Sequence, residues 1–254
     1  MQPSQQQHQV PRQAPARPAQ YARIAGALYL VIIVIGLFGE AFVRDRLVVS
    51  GDAAATAANL LASEGLWRAS VSGELAYLTL AVVVGMLLYV LLRPVNRDVA
   101  LLALLFTVVS IAVEAVGRLL LLAPLVLLRD ASYLHAFEPQ QRQALAYVFI
   151  RLHGYGFGLS LIFFGCACLA NGFLLRRSAF LPVTIGWLLQ VAGVCYLINS
   201  FCLLLAPALA QQLFPVILLP PFVAESAFCL WLLFKGVDTA KWRDLSNAIA
   251  ARGT

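Results

Sequence analysis

VALLALLFTVVSIAVEAVGRLLLL, residues 99–122, is the stretch on which the fold turns. Its 24 residues carry only two charged side chains, Glu114 and Arg118. At ~1.5 Å per residue a helix of that length reaches ~36 Å, more than the ~30 Å hydrocarbon core of a bilayer. Asn96-Arg97-Asp98 bounds the run on one side and Pro124 lies just beyond it on the other. A surface helix of a soluble protein shows a broad polar face. Here Thr107, Ser110, Glu114 and Arg118 recur at helical spacing as one narrow stripe, and the remainder is aliphatic. Glu114 and Arg118 are four apart and can bridge directly. The segment reads as a membrane-spanning helix whose polar stripe faces its neighbours.

The pattern repeats on both sides of this run. Spans are expected at about 24–43, 69–92, 145–175, 183–205 and 216–234, making six in all. Composition agrees, with 61% hydrophobic and 12% charged residues and a mean hydropathy of +0.85. A soluble domain averages about 45–50% and roughly 25%. No soluble core forms without a charged shell, so the class is all-α, a polytopic transmembrane helical bundle. Residues 1–22 are polar and rich in Gln and Pro, and are expected to form a disordered tail. Residues 23–236 make the six-span domain, and 237–254 an amphipathic cytoplasmic tail. In the first long loop Asp52 is placed to cap a short Ala-rich helix whose Leu60 and Leu61 lie at the interface. Glu138 before Pro139 suits a helix start. The fourth span is longer than a bilayer needs, so it tilts or protrudes. Pro220-Pro221 is expected to break the sixth.

The net charge is +6, from 18 basic and 12 acidic residues. With both termini in the cytoplasm, eleven Lys and Arg fall on the inner side. Five (Arg44, Arg46, Arg68, Arg129 and Arg142) fall on the outer side. The arginines sit in short loops rather than in basic stretches interleaved with aromatics, which argues for topology and against nucleic acid. The lipid bilayer is the expected partner. Trp187 and Trp231 near span ends fit an aromatic belt.

Chemistry-bearing residues are few. The five cysteines all fall inside spans and read as small packing residues. Zinc spacings are missing, as are phosphate-loop, dinucleotide and nucleophile-elbow patterns. Neither cofactor nor metal is expected, no catalytic residue is assigned, and the balance leans away from an enzyme. What remains is Glu40, Glu74, Glu114, Arg118, Arg151, His153 and Glu225 inside spans, with Asn199 at a similar depth. A charge facing lipid at mid-bilayer costs at least ~2.5–3.5 kcal/mol, so these groups are expected to face the bundle interior. Gly154, Gly158, Gly165 and Gly172 let a neighbouring helix approach the fourth span, and are expected to bring it against Arg151. Counted along the helices, the charges gather in the outer half. Four glutamates face two arginines, which leaves at least one carboxyl either protonated or holding a cation, and Glu225 is the candidate. Two readings stand: a polar, outward-opening cavity for a small ligand or cation, as in a transporter or sensor, or charge pairs that only lock helices together. An intramembrane acid/base enzyme is a third, weaker one.

Several segments carry a resemblance. They are Arg23-Ile24-Ala25-Gly26-Ala27-Leu28-Tyr29-Leu30, Phe42-Val43-Arg44, Gly51-Asp52-Ala53-Ala54-Ala55-Thr56-Ala57 and Tyr89-Val90-Leu91-Leu92-Arg93-Pro94-Val95. With His153-Gly154-Tyr155-Gly156 and Leu232-Leu233-Phe234-Lys235-Gly236-Val237-Asp238, residues 22–238 resemble a bacterial membrane family catalogued as domain of unknown function 4386. The resemblance implies a six-span protein of the bacterial cytoplasmic membrane. It implies no activity and transfers no functional residue.

Overall fold

The computed structural model describes residues 17–252, which are helical with no strand among them. The expected disorder of residues 1–16 lies outside that range. Helix α1 starts at Pro18, inside the expected tail, because a proline in the first turn gives up no hydrogen bond. It runs to Leu47 (Pro18–Leu47) and passes through a π-helical stretch at Phe38–Arg44. Short α2 (Ala53–Ala62) is capped by Asp52, whose Oδ1 accepts from Ala55 N at 2.9 Å. The long helices α3 (Glu64–Leu92), α4 (Arg97–Leu127) and α5 (Pro139–Arg177) follow. Then come α6 (Val183–Leu205), short α7 (Pro207–Leu213), α8 (Leu219–Phe234) and the tail helix α9 (Thr239–Arg252).

Two further boundaries differ from expectation, while the long α5 starts at the expected Glu138-Pro139. Helix α4 continues through Pro124 for three residues to Leu127 instead of stopping before it. The sixth span is not broken at Pro220-Pro221. Both prolines sit in the first turn of α8, after a 3₁₀ turn at Val216–Leu218, where their missing N–H groups have no helical partner to lose. Helix α5 is 39 residues, or ~58 Å, and its first turns protrude from the span. A capping box starts it, with Glu138 N donating to Gln141 Oε1 at 3.0 Å. Helix α2 supports the protrusion, and Tyr147 Oη accepts from Gly51 N at 2.8 Å.

Six helices are long and apolar enough to cross a membrane: α1, α3, α4, α5, α6, and α8 with the turn before it. They pack as a closed ring in that order, each on the next, with α8 returning to α1. The seam is tight: a Cβ on Gly26 would meet Leu233 N at 2.5 Å, and Cys229 Sγ reaches Gly26 O at 3.3 Å. The side chains turned out of the ring are aliphatic and aromatic, with Val116, Leu119, Phe234 and Leu205 between 61% and 81% exposed. A wall of that kind belongs in hydrocarbon, not in water.

Two apolar cores pack towards the two ends of the ring. At the end where α1 begins and α8 finishes, Ala22, Leu91, Leu174, Phe180 and Leu232 pack with Trp242 of α9. Trp242 Nε1 donates to Leu91 O at 2.8 Å, and Asp238 N donates to Phe180 O at 3.2 Å. Gly236 ends α8 at φ 69°, a left-handed turn that folds the tail back under the ring. At the far end Val43, Leu60, Trp67, Leu121 and Ile150 form the second core, with Trp67 Nε1 donating to Leu121 O at 2.8 Å.

Candidate functional site

Between the two cores the axis of the ring is hollow. The cavity measures about 260 Å³. All six long helices line it, and along α4 the lining runs from Ala100 to Glu114, a rise of ~21 Å. Most of the wall is apolar, with Ile33, Leu78, Val84, Leu104 and Leu161 among its residues. The expectation of a polar cavity is therefore corrected. The helices send small, aliphatic and aromatic side chains inward and only a few polar groups with them.

Two of those groups are carboxylates. Glu225 enters from α8, six residues past its first residue, on the same face as Phe228. Tyr29 of α1 donates to Glu225 Oε2 at 2.9 Å, and Tyr196 of α6 donates to Oε1. Aromatic neighbours fix both tyrosines. Tyr29 meets Phe228 edge-on at 6.4 Å, and Tyr196 lies 5.7 Å from Phe164. Among the described residues no basic side chain pairs with Glu225.

Glu114 is held differently. It bridges Arg118 one turn away and accepts from Tyr77 Oη, while Arg118 Nη2 also donates to Tyr77 Oη at 2.5 Å. From there a charged layer runs through the wall towards the far end. Arg118 Nη1 lies 2.9 Å from Glu74 Oε2, Glu74 Oε1 takes Arg44 Nη1, and Arg44 Nη2 reaches Glu40 at 2.5 Å. Arg118 and Glu74 are 2% and 0% exposed, so this pairing is dry. The Glu74 Oε2 contact is off the hydrogen-bond direction, and Oε2, Arg118 Nε and Ser70 Oγ are buried without a hydrogen-bond partner. Arg118 Nη1 also meets His153 Nε2 at 3.0 Å, and His153 Nδ1 lies 3.2 Å from Gly117 O. Guanidinium only donates and a carbonyl only accepts, so His153 carries its proton on Nδ1 and is neutral here.

The expected residues thus divide. Glu74, Glu114, Arg118 and His153 come together, and Glu225 stands apart on the cavity wall. Glu40 reaches the layer only through Arg44 and is 56% exposed, not turned inward, because it lies on the outer face of the π-helical stretch. Arg151 faces out of the bundle with no partner among the described residues, because His153, two positions on, takes the inward face of α5. Asn199 is half-buried away from the cavity, and Asn171 is the amide that lines it. The second cation of the layer is Arg44, which the sequence reading had placed in a loop. Tyr29, Tyr77 and Tyr196 were also missed, although Tyr77 lies three residues beyond Glu74 on the same helical face.

The glycines do what their spacing promised, but elsewhere along α5. A Cβ on Gly165 would lie 3.0 Å from Gly193 O, and one on Gly172 2.6 Å from Gly186 O, with the converse contacts at 2.7 and 2.8 Å. Helix α6 therefore lies against α5 backbone to backbone, which sets Tyr196 beside Phe164. Gly154 faces open space, so α6 does not approach Arg151. Gly39 has a different task. A Cβ there would lie 2.0 Å from Glu74 Oε1, so the π-helical stretch carries glycine where the Glu74 carboxylate presses on α1.

A hollow ring of six apolar helices, carrying acidic groups on its inner wall, defines a multi-pass α-helical membrane protein. The chain belongs to the family described as Domain of unknown function (DUF4386), whose model matches residues 24–236. It is also similar to an uncharacterized protein of Archaeoglobus fulgidus, 25% identical over 167 residues, covering 66% of this chain and 83% of the relative. No solved structure matches it.

Proposed function

We propose that this is a small-ligand-binding protein of the bacterial cytoplasmic membrane, a transporter or a sensor, whose site is the central cavity. One observation carries the reading: Glu225 sits on the wall of a cavity with two tyrosine hydroxyls and no counter-charge among the described residues. Buried charge is ordinarily paired or coordinated. A group left in this state beside open volume is available to something that enters. The charged layer around Arg118 has a second role. It is embedded in the wall with almost no exposure, which favours locking α1, α3, α4 and α5 together at the far end of the cavity.

We read both termini as cytoplasmic from the distribution of basic residues. With Arg44 drawn into the layer, the far-end loops keep four basic residues, five less one, against eleven at the terminal end.

The test uses a blocked cavity. Gly36 lines the cavity with nothing within 4 Å of an added Cβ, so Gly36→Trp fills it without meeting the wall at once. Benzyltrimethylammonium, its uncharged carbon isostere neopentylbenzene and the anion phenylmethanesulfonate serve as probes in thermal unfolding of the purified protein. At least one should raise the melting temperature of the wild type and leave that of Gly36→Trp unchanged. If none distinguishes the two proteins, the cavity is not a binding site.

A further inference from the structure

On the reading that the cavity is a binding site, we propose that its ligand is an organic monocation with an apolar body, such as a protonated amine or a quaternary ammonium, seated against Glu225.

The charge follows from what lines the cavity. Its two carboxylates are Glu114 and Glu225, and Glu114 is already bridged to Arg118. Glu225 alone offers an unmatched negative charge, and one such charge calls for one positive charge. An anion would enter beside two carboxylates. Arg118 cannot attract it, because its Nη atoms are engaged by Glu74, Glu114, Tyr77 and His153 in the wall behind. A neutral ligand leaves Glu225 as it was.

The apolar body follows from the rest of the wall. An inorganic cation such as Ca²⁺ is held by about six to eight oxygen ligands, and Mg²⁺, which keeps several of its waters, is held by one or two carboxylates with further oxygens. Beside Glu225 the fixed oxygens are two tyrosine hydroxyls, and the described residues hold no cluster of three or more metal-ligating side chains. Aliphatic side chains and aromatic rings complete the cavity wall, with Phe228 and Phe164 packed on the two tyrosines that hold Glu225. Such rings attract a weakly hydrated cation through their faces and pack against its carbon skeleton. The carboxylate is also prepared for this. Each oxygen accepts one tyrosine O–H, which holds the group in place and leaves about two of its four lone-pair sites directed elsewhere.

The experiment compares the three probes named above on full-length protein in detergent, read as dissociation constants from the shift in melting temperature with probe concentration. Benzyltrimethylammonium should bind the wild type at least tenfold more tightly than neopentylbenzene, which has the same shape, and phenylmethanesulfonate should not bind. Glu225→Gln keeps the acceptor for one tyrosine and removes the charge, so the two probes should become equal within a factor of two. Glu225→Asp keeps the charge and should restore the preference. Equal or tighter binding of the isostere or the anion by the wild type overturns the proposal about charge and leaves the cavity reading intact. Failure of all three probes sinks the cavity reading itself. If Glu225→Gln does not fold, the wild-type ratio and Glu225→Asp still decide.

Discussion

Replacing Arg118 by methionine removes the central cation of the charged layer and keeps much of its volume. In the structure Arg118 serves Glu74, Glu114, Tyr77 and His153 at once, with 2% exposure. Removing one partner from a buried pair costs roughly 3–5 kcal/mol, because the other charge stays behind without its match. The lower end applies here. Glu74 retains Arg44, and Glu114 retains the Tyr77 hydroxyl and is 13% exposed. A loss of about 3 kcal/mol corresponds to a fall of about 6–12 °C in melting temperature for a domain of this size. Tryptophan fluorescence suits the assay, since Trp67 is bonded to Leu121, one turn beyond Arg118. Glu114→Gln keeps the polar contact without the charge and should cost only about 1 kcal/mol. In the double variant Glu74→Gln, Arg118→Met both charges leave together, so at least about 1 kcal/mol of the summed single losses should be recovered. An Arg118→Met protein melting within about 2 °C of wild type, or strictly additive losses, would refute the layer as a coupled unit.

Gly186→Ala places a Cβ 2.8 Å from Gly172 O and 2.9 Å from Arg176 N, so α5 and α6 must part. The expected loss is about 1–3 kcal/mol by the same assay, whereas Gly154→Ala, facing open space, should be neutral or slightly stabilising. Arg151→Gln should not lower stability by the same assay, because the exposed side chain has no partner to lose among the described residues. Topology is read from an impermeant maleimide on intact cells carrying single cysteines in a Cys-free protein. Ser132→Cys should be labelled from outside and Asp98→Cys should not.

Much of the architecture was legible because the bilayer acts on one residue after another. Every span had to be a long apolar run, so 99–122 and its five counterparts declared themselves by length alone. What the sequence hid was rotation and depth. Arg44 follows the first apolar run and so resembled a loop residue. The π-helical stretch Phe38–Arg44 carries the helix past it and turns its guanidinium onto Glu74. Arg151 and His153 are two positions apart and therefore point in different directions, and periodicity alone did not say which faced in. Glu74, Glu114, Arg118 and His153 were readable as buried polar groups because lipid excludes them. The tyrosines that hold Glu225 left no such mark, since tyrosine is common at membrane interfaces and in helix packing alike. The hollow itself arises from six stripes of modest side chains meeting on one axis, and no single span records it.

Helix α4 reports whether the ring encloses an accessible cavity rather than a packed core. Single cysteines at Ala103, Thr107 and Ile111 lie on the cavity wall, while Leu105, Val109, Ala112 and Val116 are exposed on the opposite, lipid-facing side. In a Cys-free protein reconstituted into vesicles, a small cationic methanethiosulfonate added from the aqueous phase should modify 103, 107 and 111 and spare the other four. That pattern repeats every three to four residues along one helical face. Unreactive cysteines at all seven positions, or reaction on both faces alike, would contradict the cavity.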